Sequence, residues 1–68
     1  MSETLLNKIR DARTERGWTQ AELAELVGVS RKTINTVENG VFVPSTVIAL
    51  KLAKALEMPV EALFSIDG

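Results

Sequence analysis

The sequence has no cysteine, no histidine and no tyrosine, and its aromatic residues are one Trp, Trp18, and two Phe, Phe42 and Phe64. Without cysteine neither a disulfide nor a thiolate zinc site can reinforce the fold, and the composition fits a reducing cytoplasm. With His, Cys and Tyr all absent, acid-base or nucleophilic chemistry would fall to Asp, Glu, Ser, Thr or Lys. No glycine-rich phosphate loop and no coherent carboxylate pair accompanies them, so an enzyme is not expected and no cofactor is implied. The nine carboxylates are scattered over helix surfaces, which argues against a metal site. The few aromatics offer no stacking platform for RNA. No apolar run approaches the roughly 18 residues of a membrane span. The start, Met1-Ser2-Glu3-Thr4, lacks the basic-then-apolar pattern of an export signal. The expectation is a soluble, cytoplasmic protein with no membrane partner.

What is present is a chain of 68 residues, 46% apolar and 25% charged, a balance that suits one folded domain spanning residues 1–68. A chain this short buries only about 60% of the surface its unfolded form exposes, so its core is thin. Well-packed helices, or a second copy, must complete it. The net charge of −1 speaks against nucleic acid only as an average. Arg10, Arg13, Arg16, Arg31 and Lys32 lie in the first half, whereas Glu57, Glu61 and Asp67 make the end acidic.

Apolar spacing and capping signals predict five helices and no strand, an all-α fold. Ser2 is placed to cap a first helix carrying Leu5, Leu6, Ile9 and Ala12 and ending at Arg16, before Gly17. Thr19 with Glu22 three residues later reads as a capping box for a second helix with Leu23, Ala24 and Val27 inside. Ser30 caps a third helix that runs through Asn39 to Gly40. The tight link Gly28-Val29-Ser30 between helices two and three is a helix-turn-helix signature, spanning about residues 19–40. Ser45 caps a fourth helix with Ile48, Ala49, Leu52, Ala53 and Leu56. Pro59 opens a short last helix with Val60, Leu63 and Phe64.

The third helix has two unlike sides. Ile34, Val37 and Glu38 fall on one, and Lys32, Asn35, Thr36 and Asn39 fall on the other at i, i+3, i+4, i+7 spacing. The second set has the chemistry of a base-edge reader: Lys or Arg addresses guanine O6 and N7, Asn addresses adenine, and a Thr methyl meets the thymine methyl. An exposed helix is ordinarily polar in any case, so the signal depends on its context. That context is a second helix whose N-terminus, Thr19-Gln20, offers unpaired N–H groups and a positive dipole end to a phosphate. Arg13 and Glu38 both fall on inward faces, where opposite charges need each other.

The run Arg16-Gly17-Trp18-Thr19-Gln20-Ala21-Glu22-Leu23-Ala24, then Gly28-Val29-Ser30, Glu38-Asn39-Gly40 and Pro44-Ser45, resembles the Cro and phage-repressor helix-turn-helix family, the XRE type. Ala53-Lys54-Ala55-Leu56 and Val60-Glu61-Ala62-Leu63-Phe64 extend the resemblance, which covers roughly residues 5 to 64. It implies a compact five-helix, lambda-repressor-like domain that regulates transcription, in the manner of a repressor, by binding a palindromic operator in double-stranded DNA as a homodimer. By the same resemblance Gln20 and Asn39 match phosphate-contacting positions, Arg31, Lys32, Thr33 and Thr36 match base-facing positions, Trp18 matches a core position, and Arg13 pairs with Glu38.

The loop Gly40-Val41-Phe42-Val43-Pro44 departs from the family, which usually places a cation where Val41 stands. Val47 is also apolar where a charge is common. Either these residues tuck into the domain's own core, or Val41, Phe42 and Val43, with Val47, Met58 and Phe64, form an exposed surface for self-association. The alternative function is a protein-interaction or antitoxin-type module with secondary DNA binding, a reading that the acidic end favours.

Overall fold

The computed structural model describes residues 3–67. In chain order they form β1 (Thr4–Asn7), α1 (Ile9–Glu15), α2 (Gln20–Val27), α3 (Arg31–Glu38), α4 (Thr46–Ala55), α5 (Val60–Leu63) and β2 (Phe64–Asp67). Three helices start where a hydroxyl can take an unpaired N–H. Thr19 accepts from Glu22 N–H while the Glu22 carboxylate accepts from Thr19 N–H, Ser30 accepts from Thr33 N–H, and Ser45 accepts from Ile48 N–H. Between α2 and α3 the chain turns at Gly28, whose φ of 84° is open to glycine without a Cβ clash. The N–H groups of Gly28 and Val29 both donate to the Ala24 carbonyl, at 2.8 and 3.0 Å, which closes α2 before Ser30 opens α3. At the end of α4 the left-handed position falls to Glu57, with φ 54°.

The first helix is shorter than its apolar spacing suggests. Leu5 and Leu6 lie on β1, which pairs antiparallel with β2 in the register Thr4↔Asp67, Leu5↔Ile66, Leu6↔Ser65, Asn7↔Phe64. Leu5 and Ile9 are four apart and satisfy a helical template, but Leu5 inward and Leu6 outward also satisfy a period of two. The β2 backbone decides between them by supplying hydrogen-bond partners from the far end of the chain. Phe64 begins β2 instead of closing the last helix. The described residues are therefore mostly helical, five helices with one two-stranded ribbon, and not strictly all-α. Ser2, the expected cap of the first helix, lies outside the described residues. The N-cap of α1 is Lys8, which makes no side-chain cap bond, and Asn7 before it accepts from Ile9 N–H through Oδ1 at 3.1 Å.

Every element adds to one core. Ile9 and Ala12 of α1, Leu23, Ala24 and Val27 of α2, Ile34 and Val37 of α3, Leu52 and Ala53 of α4, and Leu56 at its C-cap are buried together with Leu63 and Phe64. Each large side chain so buried contributes about 1.5–3 kcal/mol relative to exposure. Trp18, expected in the core, packs half-buried against this cluster and is not among its buried residues. Arg16 ties α1 to the end of α4: its guanidinium donates to the Leu56 carbonyl and lies 5.8 Å from the centre of the Trp18 ring. Among the described residues, no helix is long and apolar enough to cross a membrane.

Candidate nucleic-acid interface

The turn at Gly28 sets α2 across α3, and apolar contacts of Leu23, Ala24 and Val27 with Ile34 and Val37 hold the pair together. This places the N-terminus of α2 beside the last turn of α3, and there the packing becomes polar. The Glu38 side chain is fully buried, with 0% of its surface exposed. It accepts a two-pronged bond from Arg13, Nε to Oε2 at 2.7 Å and Nη2 to Oε1 at 3.2 Å. Gln20 Nε2 and Arg10 Nε also donate to Oε1, at 3.1 and 3.3 Å. Arg13 additionally donates to the Trp18 carbonyl at 2.9 Å. The pairing expected of Arg13 and Glu38 is present, in the bidentate geometry that suits a guanidinium.

Burial on its own pushes the Glu38 carboxyl up, but hydrogen bonds from Arg13, Gln20 and Arg10 together outweigh it and hold the group below the ordinary glutamate value. The hydrogen bond to Glu38 raises Arg13 above its usual value, burial opposes this, and Coulomb attraction adds to it. Both groups remain charged, and the carboxylate becomes the pin on which α1, α2 and α3 meet.

The candidate contact residues attach to that pin. Gln20 is held by Glu38 and in turn accepts from Asn35 Nδ2 at 3.4 Å. Asn39 Oδ1 accepts from Arg10 Nη2 at 2.7 Å. Gln20 and Asn39 are thereby fixed in one frame, beside the capping box of Thr19 and Glu22 that opens α2. Asn35 is half-buried at the helix junction, and its amide is directed to Gln20. Arg31 and Lys32 are exposed, and among the described residues neither side chain has an intramolecular hydrogen bond or ion pair. Thr33 Oγ1 lies 2.9 Å from Ser30 Oγ, and the Thr36 hydroxyl donates to the Thr33 carbonyl at 3.0 Å.

Two members of the polar frame escaped the sequence reading. Arg10 read only as one of several first-half cations, and nothing local marks its partners, Glu38 and Asn39, 28 and 29 residues away. Asn7 donates through Nδ2 to the Val37 carbonyl at 2.9 Å, joining β1 to the end of α3.

The apolar residues expected to form one surface differ in exposure. Phe64 is a core residue, 8% exposed, and Met58 is half-buried against the core, so neither lends a free surface. Phe64 is drawn in because its strand pairs with β1, which turns its ring under the helices. Val43 and Val47 are exposed, with Leu50 beside them in the chain's next turn. Val41 and Phe42, 77% and 46% exposed, lie against the third helix: their N–H groups both donate to the Thr36 carbonyl, at 2.9 and 3.2 Å. Among the described residues no group of three or more acidic side chains converges to hold a metal ion.

A model of the helix-turn-helix family matches residues 9–63. The HTH-type transcriptional regulator YgzD of Bacillus subtilis is 41% identical over 61 residues, covering 90% of this chain and 92% of that one. The restriction-modification controller protein C.AhdI of Aeromonas hydrophila superposes with a TM-score of 0.77 at 38% identity, over 81% of this chain and 83% of that one. SinR of Bacillus subtilis, a master regulator of biofilm formation solved in complex with DNA, superposes with a TM-score of 0.74 at 29% identity, over 79% of this chain and 87% of that one. A match across most of the chain, together with the capped α2, the glycine turn and α3, makes this protein a member of the XRE-type helix-turn-helix family of transcriptional regulators.

Proposed function

We propose that the protein is a cytoplasmic repressor that binds a palindromic operator in double-stranded DNA as a homodimer, with α3 in the major groove. The observation that carries this reading is the contrast on α3. Its inner end is locked to Gln20 and Asn39 through buried Glu38, whereas Arg31 and Lys32 project without a partner. Rigid polar groups suit phosphates, which fix register, and free donors suit base edges, which carry sequence. Thr19, Gln20 and Asn39 contact phosphates, the α2 N-terminus adding its unpaired N–H groups. Arg31, Lys32, Thr33 and Thr36 read bases, and Asn35 reaches an adenine edge or steadies Gln20. SinR, solved with DNA, supports the same placement of the fold on a duplex. A second copy related by a two-fold axis would read the other half-site, its contact falling on exposed Val43, Val47 and Leu50. Repression then follows from occupying a promoter.

Selection from randomised duplex DNA, followed by titration of the winning site against a scrambled one at two salt concentrations, tests this. The expected result is a palindrome bound about 10³-fold or more tighter than the scramble. Absence of any enriched motif overturns it. Weak, salt-sensitive and sequence-blind binding would favour the protein-interaction module instead. Thr36→Ala is expected to alter preference at one or two positions, and Gln20→Ala to weaken all sequences alike.

A further inference from the structure

The loop after the recognition helix is apolar where a DNA-binding surface would be expected to carry cations, and it does not hang free. Both Val41 N–H and Phe42 N–H donate to the carbonyl of Thr36, so the loop folds back along α3. Between them runs an open groove of about 320 Å³, lined by Ser30, Lys32, Thr33, Thr36, Val41 and Phe42. Four of those six residues belong to α3 or its cap and include three of the proposed base readers, so the groove is continuous with the reading face. Its chemistry is one-sided. Thr36 directs its hydroxyl to the Thr33 carbonyl, and Thr33 shares its hydroxyl with Ser30, so both hydroxyls are already bonded within the fold. The Lys32 stem adds methylenes while its ammonium can stay in water. Val41 and Phe42 supply the other wall and gain nothing from solvent.

The major groove presents one apolar group, the 5-methyl of a pyrimidine. The geometry points to Val41 and Phe42, with Thr36, as a methyl-reading pocket that sets specificity for a 5-methylpyrimidine, thymine or 5-methylcytosine, at one position in each half-site. This inference rests on the proposed DNA-binding function and deepens it. It also takes Val41 and Phe42 out of the self-association surface and leaves that surface to the start of α4.

The test uses the duplex selected above. Each thymine is replaced in turn by uracil, and each cytosine by 5-methylcytosine; both changes alter only the methyl and leave the pairing edges intact. Burying one methyl-sized group is worth about fourfold in affinity. One position per half-site is therefore expected to lose about fourfold when a thymine methyl is removed, or gain about fourfold when a cytosine is methylated; the sign identifies the carrier. In Val41→Ser and Phe42→Ser that difference shrinks below about twofold, while affinity for the unmethylated duplex stays near the parent's. Two outcomes overturn the inference while leaving sequence-specific binding intact: no position responds to its methyl, or the response is the same in parent and variants. A third is that the variants weaken every duplex equally and sediment as smaller species, which returns both residues to self-association. Failure of the parent to prefer any duplex sequence removes the DNA-binding reading itself, and this inference with it.

Discussion

The corner where α1, α2 and α3 meet and the flank formed by the 40–44 loop and α4 are held in opposite ways. At the corner one buried carboxylate collects Arg13, Arg10 and Gln20, and those bonds fix the side chains that face outward. On the flank Val43, Val47 and Leu50 stand in solvent and carry no hydrogen-bonding obligation. The difference is one of tolerance. A charge taken out of water is stable only while its partners remain, so the corner has essentially one working arrangement. An exposed valine costs little wherever it points, so the flank is free to be shaped by whatever it meets.

Substitutions can break that comparison in a definite order. Arg13→Ala leaves Glu38 buried without its principal partner and is expected to cost about 3–5 kcal/mol. At about 4–8 °C per kcal/mol for a domain of this size, the melting temperature should fall by more than about 10 °C. Much of the population would then be unfolded, and a melt within two or three degrees of the parent would show that the corner does not depend on the pair. Asn7→Ala removes the donor to the Val37 carbonyl and the acceptor for Ile9 N–H. It should cost about 1–3 kcal/mol, read by urea denaturation, because both groups are left short of a partner.

Acid sharpens the contrast by acting on the carboxylate of the corner, a group that the apolar residues of the flank lack. Glu38 has its folded-state value depressed, so its contribution is complete above the unfolded glutamate value of about 4.3 and is lost as pH falls through the lower folded-state value. The melting temperature of the parent should drop steeply below about pH 4.3. In Glu38→Gln, which starts less stable, that part of the drop should be missing. Val47→Ser, on the flank, is expected to change stability by no more than about 0.5 kcal/mol at any pH. A larger loss would mean that Val47 is covered in the free protein.

The parts of the molecule that could be read in the sequence are those whose causes are local. Thr19 with Glu22, Ser30 and Ser45 are each within three residues of the N–H they cap, and Gly28 sits at the turn it permits. Arg13 and Glu38 were recognisable as a pair although 25 residues apart, because each interrupts an apolar face and an unpaired buried charge is implausible. Arg10 offered no such signal: it is largely exposed, and an exposed arginine looks the same whether or not it reaches Asn39. The ribbon was hidden for a different reason. Leu5, Leu6 and Ile9 fit a helix as well as a strand, and the strand that settles the matter is some 60 residues further along. Phe64 moved into the core with that strand, which is why the apolar surface read from the sequence was too large.

The same ribbon governs the order in which the domain can be finished. Because Leu5 pairs with Ile66, the first described strand must wait until residue 66 has left the ribosome. The helices between them bury their apolar faces through nearer neighbours and can collapse sooner, since short loops close at lower entropic cost than long ones. A nascent chain would thus carry its capped α2 and α3 already formed while Asn7 is not yet locked against Val37. The ribbon acts as a late clasp, one that makes emergence of β2 a condition for rigidity at the end of α3.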